Sequence, residues 1–343
     1  MDIARKSAVL LKNNNAVLPI NKNARIAVVG AVADNRDEMH GTWVCSGESG
    51  TAVSLIDALK KRNVDFKFSP CVDEDMPFNR DELLETIQGA DVVIAALSYC
   101  SAGEANSRCE LELSKSQLEM LDSLKETGKP VIGVLFNGRT LALGSTVSRV
   151  TALLEAWHLG TETGNAVADI LFGDYNPSGR LTATVPHSSA QLPVYYNHPR
   201  TGRPAGEAIW TNKYLDMPLQ PLFPFGYGLS YTRFDYSNLS IETAGDMLTA
   251  TVTVINTGKY AGEETVQLYI HRKNATRVRP VRELKGFCKL YLEPGEAKCA
   301  SISVAREEMG YYDVNMNYIT DKSEFDIYMA PDSSSGLCET IVF

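Results

Sequence analysis

The hydrophobic period of this chain changes once along its length. From residue 25 to residue 172, short runs of apolar and β-branched residues alternate with amphipathic segments, whereas beyond Phe234 the pattern drops to period two. The first half offers strands in RIAVVG (25–30), DFKF (65–68), DVVIAAL (91–97), PVIGVLF (130–136) and VTALLEAW (150–157). Between and after them lie helical segments at 51–62, 80–88, 114–127 and 162–172, and residues 2–14 carry helical periodicity through Ile3, Val9 and Leu10 until Pro19. Such alternation predicts an α/β domain whose mainly parallel sheet is covered on both faces. A ligand of such a sheet meets the loops beyond the carboxyl ends of its strands.

Residues 187–230 are rich in Pro, Gly, Tyr and Asn and read as an extended connector. The short alternating runs that follow, LTATVTVINTG, EETVQLYIH, ELKGFCKLYLEPGE, CASISVA and EFDIYMA, predict an antiparallel, immunoglobulin-like sandwich. The expected division is an α/β domain over 1–205, a connector over 206–233 and an all-β domain over 234–343. Asn256-Thr257-Gly258 reads as a structural turn.

A net charge of −9 with dispersed Lys and Arg argues against a nucleic-acid partner. No apolar run approaches the roughly 20 residues that cross a bilayer, so no membrane partner is expected. MDIARKSAVLLKNN lacks a signal-peptide pattern, although an export signal could lie upstream of a part such as this. The 7 cysteines have no CxxC spacing and read mostly as buried thiols of a reducing compartment. AVVGAVADN has one Gly where a dinucleotide loop needs three, and GxSxG, HExxH and the Walker lysine are missing from the sequence. Neither cofactor nor metal is expected.

Two loops at strand ends could carry chemistry. Gly103-Glu104-Ala105-Asn106-Ser107-Arg108 follows DVVIAAL and its short loop, which sets a carboxyl group and a cation where a ligand would meet the sheet. A solvated ion pair between Glu104 and Arg108 is the alternative. Trp43 follows RIAVVG and its loop, either as a stacking platform for a sugar ring or as a partly buried loop residue. Trp157, at a strand end, reads as core, and His158 and Glu162 read as structural groups near a helix start.

LEAWHLGTETGNAVADILFGDYNPSGRLTATVP at 154–186 resembles the segment near the end of the second domain in glycoside hydrolase family 3, the β-glucosidases and related enzymes. ARKSAVLLKNNNAVLPI resembles the entry to that domain, and FPFGYGLSYTRFDY resembles its bridge to a third. VINTGKYAGEETVQLYI with RPVRELKGFCKLYLEPGE resembles the fibronectin type III-like domain that ends many members. HLGTETG departs from the more usual Pro-Gly and second Gly. The resemblance implies a β-linked glucoside or oligosaccharide as substrate, Glu104 as general acid/base, and Arg108 and Trp43 as substrate contacts, with Trp43 bordering the aglycone side. It places the nucleophile on an amino-terminal barrel, which nothing in these 343 residues resembles. The chain is therefore expected to need a barrel domain, in cis or in trans, and to be inactive alone. A stand-alone carbohydrate-binding or scaffolding protein is the alternative.

Overall fold

The computed structural model describes every residue except 42, 74, 75, 100–107, 205, 207 and 209. The chain divides into two compact units, one of Met1–Arg180, Val185–Leu192 and Gly228–Tyr231, the other of Leu181–Thr184, Pro193–Tyr227 and Thr232–Phe343.

The first unit runs α1 (Asp2–Ser7), β1 (Val9–Asn13), β2 (Ile26–Val29), α2 (Arg36–His40), α3 (Leu55–Lys61), β3 (Phe66–Ser69) and α4 (Arg80–Thr86). It continues through β4 (Val92–Tyr99), α5 (Lys115–Glu126), β5 (Val131–Asn137), α6 (Gly144–Val147), β6 (Ala152–Glu155) and α7 (Thr163–Leu171). Its sheet has the order β1-β6-β5-β4-β2-β3, parallel except for β1, which pairs antiparallel with β6. Ile94, Ala96, Ile132, Val134, Phe136 and Leu154 share one core with Leu55, Ile56 and Leu59 of α3 and Val167, Ile170 and Leu171 of α7. The alternate residues Val93, Ala95, Leu97, Leu135 and Leu153 are buried as well, so both faces of the sheet are covered.

Helix starts are written into the sequence. Ser54 and Asp57 form a reciprocal capping box at α3, Asn79 caps α4, and Ser114 caps α5. Gln117 on α5 docks that helix against β4, accepting from Ser98 N–H at 2.8 Å and donating to Ser98 O at 2.9 Å.

Residues 9–13 form an edge strand instead of continuing the helix expected over 2–14. Ile3 is 83% exposed, so the apparent apolar stripe had no core to face, while Val9, Leu10 and Leu11 are consecutively buried. Leu229 covers the outer edge of β1, donating its N–H to Leu10 O at 2.8 Å. Asn176 of the NPSG segment secures that cover, its Oδ1 accepting from Ser230 Oγ and Tyr231 N, both at 2.8 Å.

The second unit contains β7 (Phe234–Ala244), β8 (Met247–Asn256), β9 (Gly262–Arg272), β10 (Glu283–Leu292), β11 (Ala297–Ala305), β12 (Tyr311–Tyr312), β13 (Tyr318–Ile319), β14 (Glu324–Ala330) and β15 (Leu337–Val342). Antiparallel sheets β10-β9-β14-β15 and β11-β8-β7 enclose a core of alternate residues, among them Leu248, Val252, Val266, Leu268, Ile270, Val304, Phe325 and Ile327. Asn256 is fully buried, donating to Tyr260 O at 2.8 Å and Leu292 O at 3.0 Å, which is the structural work expected of its turn.

The cysteines correct a second expectation. Cys71 is buried, but Cys45, Cys109, Cys299 and Cys338 are exposed, because they fall on loops or on the outward positions of strands. Among the described residues, no helix is long and apolar enough to cross a membrane.

Candidate functional site

The parallel strands of the first unit end at Val29, Ser69, Tyr99, Asn137 and Glu155, and the loops beyond four of these ends hold the sequence-predicted residues and their surroundings. Glu104 lies outside the described residues. Arg108 returns from the loop after β4 with its guanidinium carbon 5.9 Å from the centre of the Tyr99 ring. The Tyr99 hydroxyl donates to Glu110 O, which draws the far side of the loop back to the strand that launched it.

The next loop reaches Arg108 through its backbone. Arg139, two residues past β5, donates from Nη1 to Arg108 O at 3.4 Å. Its own N–H donates to Asn137 Oδ1 at 3.2 Å, while Asn137 Nδ2 donates to both oxygens of Glu155, at 3.1 and 3.2 Å. Glu155 Oε1 also accepts from Trp157 N–H at 3.2 Å. A chain of hydrogen bonds thus crosses the ends of β4, β5 and β6.

Glu155 is buried, and desolvation pushes its carboxyl up to about 8 against the opposing pull of the bonds from Asn137 and Trp157. In the sequence Glu155 stands as one residue of the strand VTALLEAW. The signal was a lone carboxylate inside the apolar run VTALLEAW, and Asn137 carried none. Trp157 is half-buried instead of core, since the chain turns there with φ 51° and swings the residue off the line of the strand. Glu162 is structural, accepting from Asn165 Nδ2 at 2.7 Å.

Trp43 follows α2, on the connection out of β2, and is 77% exposed. Strands β2 and β4 are neighbours, so Trp43 and Arg108 stand on loops that leave adjacent strands at the same end of the sheet. An exposed indole and a guanidinium supply the two kinds of contact that a polyhydroxylated ring uses, an apolar face and a hydrogen-bond donor. Among the described residues, no group of three or more His, Cys, Asp or Glu side chains is arranged to hold a metal ion.

The family model for the glycosyl hydrolase family 3 C-terminal domain matches residues 8–231, and that for the fibronectin type III-like domain matches residues 264–333. The chain belongs to glycoside hydrolase family 3. Among its family 3 relatives, a periplasmic β-glucosidase of Salmonella typhimurium is 38% identical over 97% of this chain and 48% of its own length. A β-xylosidase of Formosa agariphila is 33% identical over 99% of this chain and 49% of its own. The crystal structure of a β-glucosidase from Listeria innocua in complex with isofagomine superposes with a TM-score of 0.93 at 32% identity, across 99% of this chain and 49% of that one. This family 3 chain therefore spans about half the length of the relatives it matches.

Proposed function

We propose that the chain is the carboxyl-terminal part of a retaining β-glucosidase-like hydrolase. Glu104 acts as general acid/base, Arg108 and Trp43 contact the substrate, with Trp43 on the aglycone side, and a barrel domain in the same or another polypeptide supplies the nucleophile. The observation that carries this reading is the match of residues 8–231 to the family 3 C-terminal domain, within which the sequence Gly103–Arg108, following β4 in the chain, resembles the family's acid/base loop. The names of the relatives, β-glucosidases and β-xylosidases, support the substrate class.

Retaining hydrolysis uses two carboxyl groups about 5 Å apart. One attacks the anomeric carbon while the other gives a proton to the leaving oxygen, then takes one from the water that releases the sugar. In this reading Glu104 handles the proton in both steps, and the chain alone turns over nothing because the attacking carboxylate belongs to the barrel.

The test is an assay of the purified chain on an aryl β-glucoside and on an unactivated disaccharide, with and without a family 3 barrel domain. The expected result is turnover only with the barrel, and a loss of roughly 10²- to 10⁴-fold on the disaccharide in Glu104→Ala. Azide should restore part of the rate on the activated substrate. Turnover by the chain alone that disappears in Glu104→Gln would overturn the division of labour, and sugar binding without turnover in any mixture would point to a carbohydrate-binding protein.

A further inference from the structure

The loop that carries Trp43 is tied at both of its ends to one short segment, residues 158–164. At the far end, Val53 N–H donates to Thr161 O at 3.0 Å and Gly164 N–H donates to Val53 O at 2.8 Å. At the near end the tie is a single side chain. His158 Nδ1 lies 3.1 Å from Glu38 O, and since a carbonyl only accepts, Nδ1 carries the proton.

Glu38 sits in the last turn of α2, where helix carbonyls lack partners within the helix. Its oxygen also accepts from Gly41 N–H at 3.3 Å, so the imidazole engages the same carbonyl that ends the helix. The ring is enclosed by two glycines. A Cβ on Gly41 would come within 2.8 Å of His158 Cγ and Cδ2, and one on Gly138 within 2.8 Å of Nε2. Gly41 precedes Trp43 by two residues, and Gly138 joins Asn137 to Arg139. Burial pulls the imidazole below its ordinary range, against the opposing effect of its bond to Glu38 O. Upstream, the Glu155 bond to Trp157 N–H and the left-handed turn at Trp157 aim the next residue, His158, toward α2.

We propose that His158 is a positioning residue, whose Nδ1–H bond to Glu38 and packing between Gly41 and Gly138 fix the near end of the Trp43 loop. The proposal deepens, and for its consequence rests on, the reading of Trp43 as a substrate contact. Its geometry does not depend on that reading.

The experiment uses the 343-residue chain labelled with 5-fluorotryptophan, its three tryptophan resonances assigned by single Trp→Phe substitutions. His158→Ala should shift or broaden the Trp43 resonance and leave that of Trp210 in place, and His158→Asn, which keeps a donor near Nδ1, should return Trp43 toward its original position. A Trp43 resonance unchanged in His158→Ala would overturn the proposal. So would failure of His158→Asn to differ from His158→Ala. Imidazole nitrogen shifts in the unaltered chain give a test independent of the folding of any variant: a protonated Nδ1 and bare Nε2 are expected, and the opposite tautomer overturns the proposal. Titration with cellobiose, read at the Trp43 resonance of the unaltered chain, addresses the sugar reading separately, since a silent titration sinks that reading and leaves the positioning role standing.

Discussion

The side-chain amide of Asn137 spans both carboxyl oxygens of Glu155, at 3.1 and 3.2 Å, at the ends of two adjacent parallel strands. Burial of this carboxyl, which outweighs the opposing pull of the Asn137 bond, makes the stability of the first unit pH-dependent in an unusual direction. Unfolded, the Glu155 carboxyl titrates near 4.5, whereas folded it titrates near 8. Between those values the folded chain keeps a proton that the unfolded chain has lost, so the free energy of unfolding falls as pH rises through the window and levels off above it. The slope is at most about 1.4 kcal/mol per pH unit. Glu155→Gln, which keeps an acceptor for Asn137 and Trp157 and cannot ionise, should flatten this dependence and overtake the unaltered chain in stability near pH 8. Urea unfolding at pH 5, 6.5 and 8 checks it. Equal pH slopes in the two proteins would mean that Glu155 ionises normally when folded.

Asp169 on α7 gathers two cations from other parts of the first unit. Arg5 of α1 donates to Oδ2 at 2.5 Å, and Arg62, just beyond α3, donates to Oδ1 while reaching Asp174 at 2.6 Å. The Asp169 side chain is buried and both arginine side chains are partly exposed. Removing one member of a buried pair costs about 3–5 kcal/mol, and the freed arginines can rehydrate, which sets the expectation at the lower end. Asp169→Asn should therefore destabilise the first unit by about 3 kcal/mol in urea unfolding. A loss under about 1 kcal/mol would class the cluster with ordinary surface pairs.

What the sequence revealed follows from how local each signal is. Val92–Leu97 and Val131–Phe136 were legible as central strands because both faces are buried and every residue had to be apolar or small. Val9–Leu11 fit a helix equally well, and only pairing with β6 and the cover at Leu229 make a strand of them. The edge strand β15 went unread because most of its side chains face outward and its position is set by β14. The same limit governs the site. Tryptophan, arginine and glutamate at strand ends can be found by position, but the bond between Asn137 and Glu155 joins residues 18 apart and leaves no periodic trace. His158 likewise meets Glu38 120 residues away.

Cysteine reactivity should divide by burial. Cys71 is 3% exposed and desolvation pushes its thiol up to about 11, two units above its ordinary 9.0, which makes its thiolate fraction roughly 100-fold smaller at neutral pH. In the folded chain, iodoacetamide should modify Cys45, Cys109, Cys299 and Cys338 while leaving Cys71 untouched until urea is added. Mass spectrometry of tryptic peptides over a time course reads this directly. Early labelling of Cys71 would place it at the surface.

The sandwich should need more chain than its own strands. Period two sends Val266, Leu268 and Ile270 into the core and turns Thr265, Gln267 and Tyr269 to the opposite face of β9, yet these three are buried as well. Tyr196, Phe225 and Gly226 of the preceding segment cover Gln267 and Tyr269. Tyr196 stacks on Phe225 at 4.4 Å between ring centres and meets Tyr269 edge-on at 5.8 Å. Gln267 Nε2 donates to Gly226 O at 3.1 Å, Tyr269 Oη donates to Gln267 Oε1 at 2.5 Å, and Ser333 N–H donates to Phe225 O at 2.9 Å. A fragment of residues 234–343 keeps the sandwich core and should unfold cooperatively, but it exposes Tyr269 and deprives Gln267 of one acceptor. A fragment of residues 193–343 should melt at least about 5 °C higher, which corresponds to roughly 1 kcal/mol for a domain of this size. Tyr269→Phe provides the internal control. In the longer fragment the lost hydroxyl leaves Gln267 Oε1 buried without its donor and should cost about 1–2 kcal/mol, whereas in the shorter one water replaces it at little cost. Equal melting temperatures for the two fragments would show that residues 193–227 lie on the sandwich without stabilising it.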